Sequence, residues 1–252
     1  MNQQVSEAPQ GFSIGLTHVG CVRSENQDTF FCDESKGVFA VMDGAGGMHA
    51  GAMASGLVKN ALGYIRAPHS AVDLLDQFEG RVIDAKKDIE RVAAKANGAA
   101  MGTTIAALLA YGTDFACLWA GDSRVYRGAM EQLTTDHTEA QELVDQNVLT
   151  PEEAKNFSRR HVITRAIGSG LELELELVSG NLRHGDRFLL CSDGLTGHLD
   201  DAVISNMLLD GAQKSVAQHL LTGALEKGGT DNVTVVVVDF DQVNRSEGVG
   251  RT

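Results

Sequence analysis

Three apolar runs in the middle of the chain, residues 103–111 (TTIAALLAY), 114–121 (DFACLWAG) and 124–128 (RVYRG), are joined by only two residues each time, Gly112-Thr113 and Asp122-Ser123. Parallel neighbours need a crossover of a dozen or more residues, so these runs predict an antiparallel meander and disfavour a Rossmann-type sheet. The flanking sequence extends the pattern. Residues 12–20, 29–33 and 37–42 read as earlier strands, and 50–65 and 71–96 as two amphipathic helices parted by Pro68. Their apolar stripes are Met53, Leu57, Leu62 and Ile65, then Val72, Leu75, Phe78, Val82, Ile89 and Val92. In the last third, ELELELVSG alternates with Leu173, Leu175 and Leu177 on one face. DRFLLCSDG and NVTVVVVDF are continuously apolar, as strands covered on both faces are. Residues 202–209 and 215–227 read as helices between them. The expected class is α+β: two antiparallel sheets flanked by helices.

A polar, mostly helical stretch, residues 137–160, interrupts the strands and reads as an exposed insertion. It restarts at Thr150-Pro151-Glu152-Glu153, with proline in the first helical position and acids in the first turn. No repeat or low-complexity linker divides the 252 residues, so residues 11–242 are expected to form one domain between a loose arm (1–10) and a tail (243–252).

Bulk composition removes several function classes. The net charge of -13 comes without a basic stripe, which argues against nucleic acid as a partner. The four cysteines Cys21, Cys32, Cys117 and Cys191 contain no C-x-x-C pair, arguing against zinc and for free thiols in a reducing compartment. The first residues lack both the basic start and the apolar stretch of a signal peptide. No apolar run approaches the ~20 residues that cross a bilayer. A cytoplasmic monomer without membrane contact is expected.

Aspartates punctuate the strands. Val41-Met42-Asp43-Gly44, Ala120-Gly121-Asp122-Ser123, Cys191-Ser192-Asp193-Gly194 and Gly229-Thr230-Asp231-Asn232 each place Asp beside Gly or Asn at the end of an apolar run or just before one, and Arg23-Ser24-Glu25-Asn26-Gln27-Asp28 precedes its strand. Singly, each is a turn signal. Together they predict carboxylates gathered on one rim of a sheet sandwich, where mutual repulsion raises their proton affinity unless a cation neutralises them. Hard oxygen ligands without a Cys or His cluster select Mg²⁺ or Mn²⁺, and Gly44 lets a main-chain carbonyl approach.

The ordered series Val22 to Asp28, Asp43 to Ser55, Met101-Gly102-Thr103-Thr104, Gly121 to Tyr126, Leu133-Thr134-Thr135-Asp136-His137, Ser192-Asp193-Gly194-Leu195 and Gly229 to Thr234 resembles the metal-dependent protein phosphatases of type 2C, most closely the compact bacterial members. The resemblance runs from about Gly15 to Phe240. It implies a four-layer α-β-β-α sandwich with a flap insertion at 137–160, and hydrolysis of phosphoserine and phosphothreonine by water activated on two divalent cations, Mn²⁺ or Mg²⁺. By residue it implies that Asp43 bridges both metals, the Gly44 carbonyl binds one, and Asp193 and Asp231 hold the other. Asp28 and Asn232 orient bound water, Arg23 grips the phosphate, and Asp122 marks a third, weaker metal position. The implied partners are phosphorylated proteins, a Ser/Thr kinase and its substrates. The alternative is a catalytically weak relative that binds or scaffolds phosphoproteins.

Three positions depart from the family pattern. Gln27 stands where eukaryotic members carry Glu, Ala45 where they carry a His proposed as general acid, and Met48 where bacterial members have His. His49 is the nearest replacement acid, though it reads better as a solvated residue at the helix start. The remaining histidines show no ligand spacing and read mostly as surface residues, His137 standing apart in its motif.

Overall fold

The computed structural model describes residues 10–47, 49–128, 131–168, 170, 173–209 and 211–242. Residues 1–9 of the arm, the tail at 243–252, Met48 and Glu172 of the alternating segment lie outside the described residues, and Gln10, placed in the arm by sequence, opens the first strand. Strands β1 (Gln10–His18), β2 (Asp28–Asp33) and β3 (Val38–Gly46) precede helices α1 (Ala50–Leu62) and α2 (Ala71–Lys95). Next come β4 (Met101–Thr103), β5 (Ile105–Tyr111), β6 (Asp114–Ala120), β7 (Arg124–Arg127) and β8 (Glu131–Gln132). The insertion holds α3 (Glu139–Asp145) and α4 (Pro151–Lys155). Strands β9 (Glu176–Asn181) and β10 (Asp186–Cys191), helices α5 (Asp193–Thr196), α6 (Asp201–Leu209) and α7 (Gln213–Glu226), and β11 (Val233–Gln242) complete the chain.

The strands form two antiparallel sheets. One has the order β1-β11-β10-β7-β8; the other runs β2-β3-β5-β6-β9, with β4 pairing on β3. Three apolar layers bind the sandwich together. Phe39, Val41, Trp119, Phe188 and Phe240 fill the space between the sheets, with the Phe188 and Phe240 rings edge to face at 5.8 Å. Helices α1 and α2 cover the outer face of the second sheet through Val58, Leu62, Leu74, Phe78, Val82 and Ile89. Helices α5, α6 and α7 cover the first through Leu195, Ile204, Leu208, Val216 and Leu220. The run VTVVVVDF is continuously apolar because Val236 and Val238 face the other sheet while Val235 and Val237 face the helices. This is the four-layer α-β-β-α arrangement.

The structure corrects the sequence reading in several places. Of the three runs, only the first two pair with each other, as β5 and β6; β7 leaves their sheet and pairs with β10 and β8 in the other one. The turn that redirects it begins at Gly121, whose φ of +114° is a conformation side chains resist and where a Cβ would strike the Thr104 side chain. Asp122 therefore sits at a corner between sheets rather than at a hairpin tip. Residues 137–160 do hold two short helices with the restart at Thr150, the second opened by a capping box between Thr150 and Glu153. The Ser-Asp-Gly segment, a turn signal by sequence, opens α5. Met53 and Val72, placed on the buried stripes by spacing, are exposed. Leu173 and Leu175 do pack against the layer under α1 and α2, while Leu177 on the same face is left open. No helix among the described residues is long and apolar enough to cross a membrane.

Candidate active site

The aspartates meet at one end of the sandwich. Asp28 and Asp43 lie directly opposite each other across β2 and β3. Asp193 opens α5 at the end of β10, Asp122 stands at the β6–β7 corner, and Asp231 and Asn232 immediately precede β11. Together with Arg23, Gly44, Thr104 and His161, all of these except Asp28 line a cleft of about 470 Å³. A second cavity of about 480 Å³ continues from Asp122, His161 and Asp193 toward α3 and α4 of the insertion.

Hydroxyl and backbone groups fix the Asp43 main chain and the Asp28 carboxylate. Asp43 N–H donates to Thr104 Oγ1 at 3.1 Å, and its carbonyl accepts from Thr104 N at 2.8 Å and Thr103 Oγ1 at 2.9 Å. Thus Thr103 and Thr104 work as a clamp on Asp43. Asp28 Oδ2 accepts from Ser192 Oγ and from Thr234 Oγ1, both at 2.8 Å, which ties the two sheets together at the rim. Ser192 occupies the N-cap position of α5 yet makes no side-chain cap, because its hydroxyl oxygen accepts from Thr234 N–H at 3.0 Å while its proton goes to Asp28. The other oxygen, Asp28 Oδ1, is buried without a hydrogen-bond partner. Gly44 admits no side chain, since a Cβ there would lie 2.2 Å from the Gly51 carbonyl.

The electrostatics of the cluster are unfavourable as it stands. Burial, followed by the charges of Asp28, Asp193 and Asp122, lifts the Asp43 carboxyl well above the usual carboxylate range. Burial pushes Asp28 up to about 6, and burial with the Asp193 charge pushes Asp122 up to about 8. Asp193 is raised by burial and then by the Asp231 charge. Among the described residues no three His, Cys, Asp or Glu side chains are already drawn together as a formed cation site. Even so, the donor set fits divalent cations: hard oxygens only, an orphaned carboxylate oxygen, and a cleft toward which the only partly buried Asp43 opens.

Two expected roles meet a different geometry. Both amide hydrogens of Asn232 go to backbone carbonyls, those of Val19 at 2.8 Å and Glu25 at 2.9 Å, and its Oδ1 accepts from Gln27 N at 2.8 Å. The side chain therefore fastens the 19–27 loop and has no N–H left to direct a water. Arg23 sits at the rim with its guanidinium 2.7 Å from Asp231 Oδ2, joined to one of the expected ligands. His49 is exposed and paired with Glu25 at 2.6 Å, in keeping with a solvated position at the start of α1. Spacing did not single out His161, which lines the cleft beside the insertion; His137, set apart by its motif, is buried and stacked on Trp119 with ring centroids 6.1 Å apart. His161 has no local sequence signal.

A family model described as protein phosphatase 2C matches residues 20–226. The serine/threonine protein phosphatase PstP of Mycobacterium tuberculosis is 38% identical over 224 residues, covering 87% of this chain but only 43% of PstP. The chain therefore spans less than half the length of that relative. The serine/threonine phosphatase stp of Listeria innocua is 31% identical over 237 residues, covering 88% of this chain and 93% of its own. The solved catalytic domain of PstP in complex with two manganese ions superposes with a TM-score of 0.81 at 35% identity, covering 91% of this chain and 97% of that one. Ordered motifs, sandwich and carboxylate rim agree with these matches: the chain belongs to the protein phosphatase 2C family.

Proposed function

We propose that residues 11–242 form a divalent-cation-dependent protein phosphatase domain that hydrolyses phosphoserine and phosphothreonine, with phosphorylated proteins, a Ser/Thr kinase and its targets, as substrates. The observation that carries this reading is the convergence of Asp28, Asp43, Asp122, Asp193 and Asp231, from five separate segments, on one rim with an unpaired buried oxygen. Asp43, the Gly44 carbonyl, Asp193 and Asp231 would hold two cations, Mn²⁺ or Mg²⁺, and Asp122 a third. When bound, such cations supply Lewis-acid activation of water and neutralise charge at phosphorus. Asp28, whose Oδ1 has no hydrogen-bond partner within the protein, would orient water held by the cations. Asn232 holds the loop that carries Arg23, and Arg23, more than half exposed, offers its guanidinium to phosphate oxygens. A non-catalytic scaffold has no need of so complete a carboxylate set, which weighs against that alternative.

The test is phosphate release from a phosphothreonine peptide by the purified chain. Release in Mn²⁺ that stops in excess EDTA supports the reading; full release after exhaustive chelation overturns it.

Two substitutions separate the roles. Arg23→Ala is expected to leave Mn²⁺ binding intact while both KM and kcat worsen, through loss of a charge-assisted contact of roughly 1.5–3 kcal/mol, about ten- to a hundredfold in kcat/KM. Isothermal titration with Mn²⁺ alongside steady-state kinetics reads both. Asp122→Ala is expected to lower turnover strongly with two tightly held cations still countable per chain. If Asp122 merely shapes the β6–β7 corner, the variant keeps its rate per folded molecule and loses only about 0.5–2 kcal/mol of stability, as for a lost cap.

A further inference from the structure

The loop from Gly228 to Asn232 delivers Asp231 to the rim, and its first two residues are glycines at φ +122° and +49°. On one side the loop is held by Cys21, whose N–H donates to the Gly229 carbonyl at 2.7 Å. On the other side it is held by His198. Half-buried just beyond α5, this imidazole has Nδ1 2.8 Å from the Gly194 carbonyl and Nε2 2.9 Å from the Thr230 amide nitrogen and 3.0 Å from Thr230 Oγ1.

The partners fix the state of the ring. A carbonyl oxygen only accepts, so Nδ1 carries the proton; an amide N–H only donates, so Nε2 carries a lone pair. His198 is thus a neutral, oriented bridge from Gly194, adjacent to Asp193, to Thr230, adjacent to Asp231. Its backbone is itself anchored, with His198 N–H donating to the Leu195 carbonyl at 3.1 Å and the neighbouring Leu199 buried.

We propose that His198 is a positioning residue that sets the separation of Asp193 and Asp231 by clamping the Thr230 amide to α5; the inference rests on those two aspartates being cation ligands. The clamp acts on position more than on stability. Thr230 is exposed, so water replaces the lost acceptor and no buried donor is stranded. What is lost is the restraint on a loop whose glycines resist little. Side chains that orient ligands in this indirect way typically contribute about 10–100-fold in metal affinity or activity.

Two variants test this on the intact chain. In His198→Asn the shorter amide keeps the Gly194 contact but does not reach Thr230. In His198→Gln a carbonyl oxygen lies near the position of Nε2 and restores an acceptor for Thr230. The readouts are Mn²⁺ affinity by calorimetry, amide exchange of Thr230, thermal midpoint in EDTA, and phosphate release. The Asn variant is expected to bind Mn²⁺ about 10–100-fold more weakly with faster Thr230 exchange, while the Gln variant stays close to wild type and both melt alike without metal. Wild-type Mn²⁺ affinity in the Asn variant, or equal weakening in both variants, overturns the proposal. A wild-type chain that binds Mn²⁺ but releases no phosphate would instead overturn the phosphatase reading and leave the affinity comparison decisive for His198.

Discussion

Asp43→Asn is expected to lower kcat/KM for a phosphothreonine peptide by more than about a hundredfold, beyond the 10–100-fold typical of residues that only orient a ligand. The substitution keeps the shape of the side chain and the backbone clamp from Thr103 and Thr104, and removes one negative charge from the centre of the cluster. Asp43 is the carboxyl that faces Asp28 across the strands and Asp193 across the cleft, so no neighbour can take its place. The same change is expected to raise the melting temperature of the metal-free chain at pH 8, because it relieves repulsion among buried carboxylates. Lost turnover together with gained stability is a pattern that misfolding cannot produce. Wild-type turnover in a folded Asp43→Asn chain would place the reaction elsewhere.

Metal removal is expected to make stability depend steeply on pH. In the folded chain Asp28 is pushed up to about 6 and Asp122 up to about 8, and Asp43 and Asp193 are raised as well, in each case first by burial. Unfolded, the same groups ionise near ~3.9. The folded state therefore holds more protons than the unfolded state between these limits, and stability falls as pH rises through that window, by about 1.4 kcal/mol per pH unit for each proton retained. In EDTA the melting temperature should drop from pH 5.5 to pH 8. Adding Mn²⁺ should restore it, most at pH 8, and calorimetry in buffers of different ionisation enthalpy should register proton release on binding. A flat profile in EDTA, or equal stabilisation by Mn²⁺ at both pH values, would mean that the carboxylates are not held together as described.

Local periodicity carried much of this molecule into the sequence. The stripe Phe78, Val82 and Ile89 of α2, the hairpin of β5 and β6, and the doubly covered valines of β11 were legible because each is written within a dozen or so residues. The aspartates were legible as a set because each abuts a strand or the residue that redirects one. What escaped depends on distance. That β7 changes sheets turns on Gly121, where a Cβ would strike Thr104, a neighbour only in space. Asn232 reads as a water ligand by motif, yet its amide reaches back 213 residues to Val19. Ser192 caps nothing because its hydroxyl accepts from Thr234 N–H and donates to Asp28, both remote in sequence. Nothing around His161 or His198 in the sequence tells that one lines the cleft and the other holds Thr230.

The central claim is that the aspartate rim works only when it holds cations. It is tested most directly by titrating Mn²⁺ into the metal-free chain while bound metal per chain and phosphate release from a phosphothreonine peptide are measured in the same sample. The account predicts no release at zero occupancy and a rate that climbs as occupancy approaches two ions per chain, the number held by the solved PstP catalytic domain. Substantial release at zero occupancy, or a rate indifferent to bound Mn²⁺, would contradict it.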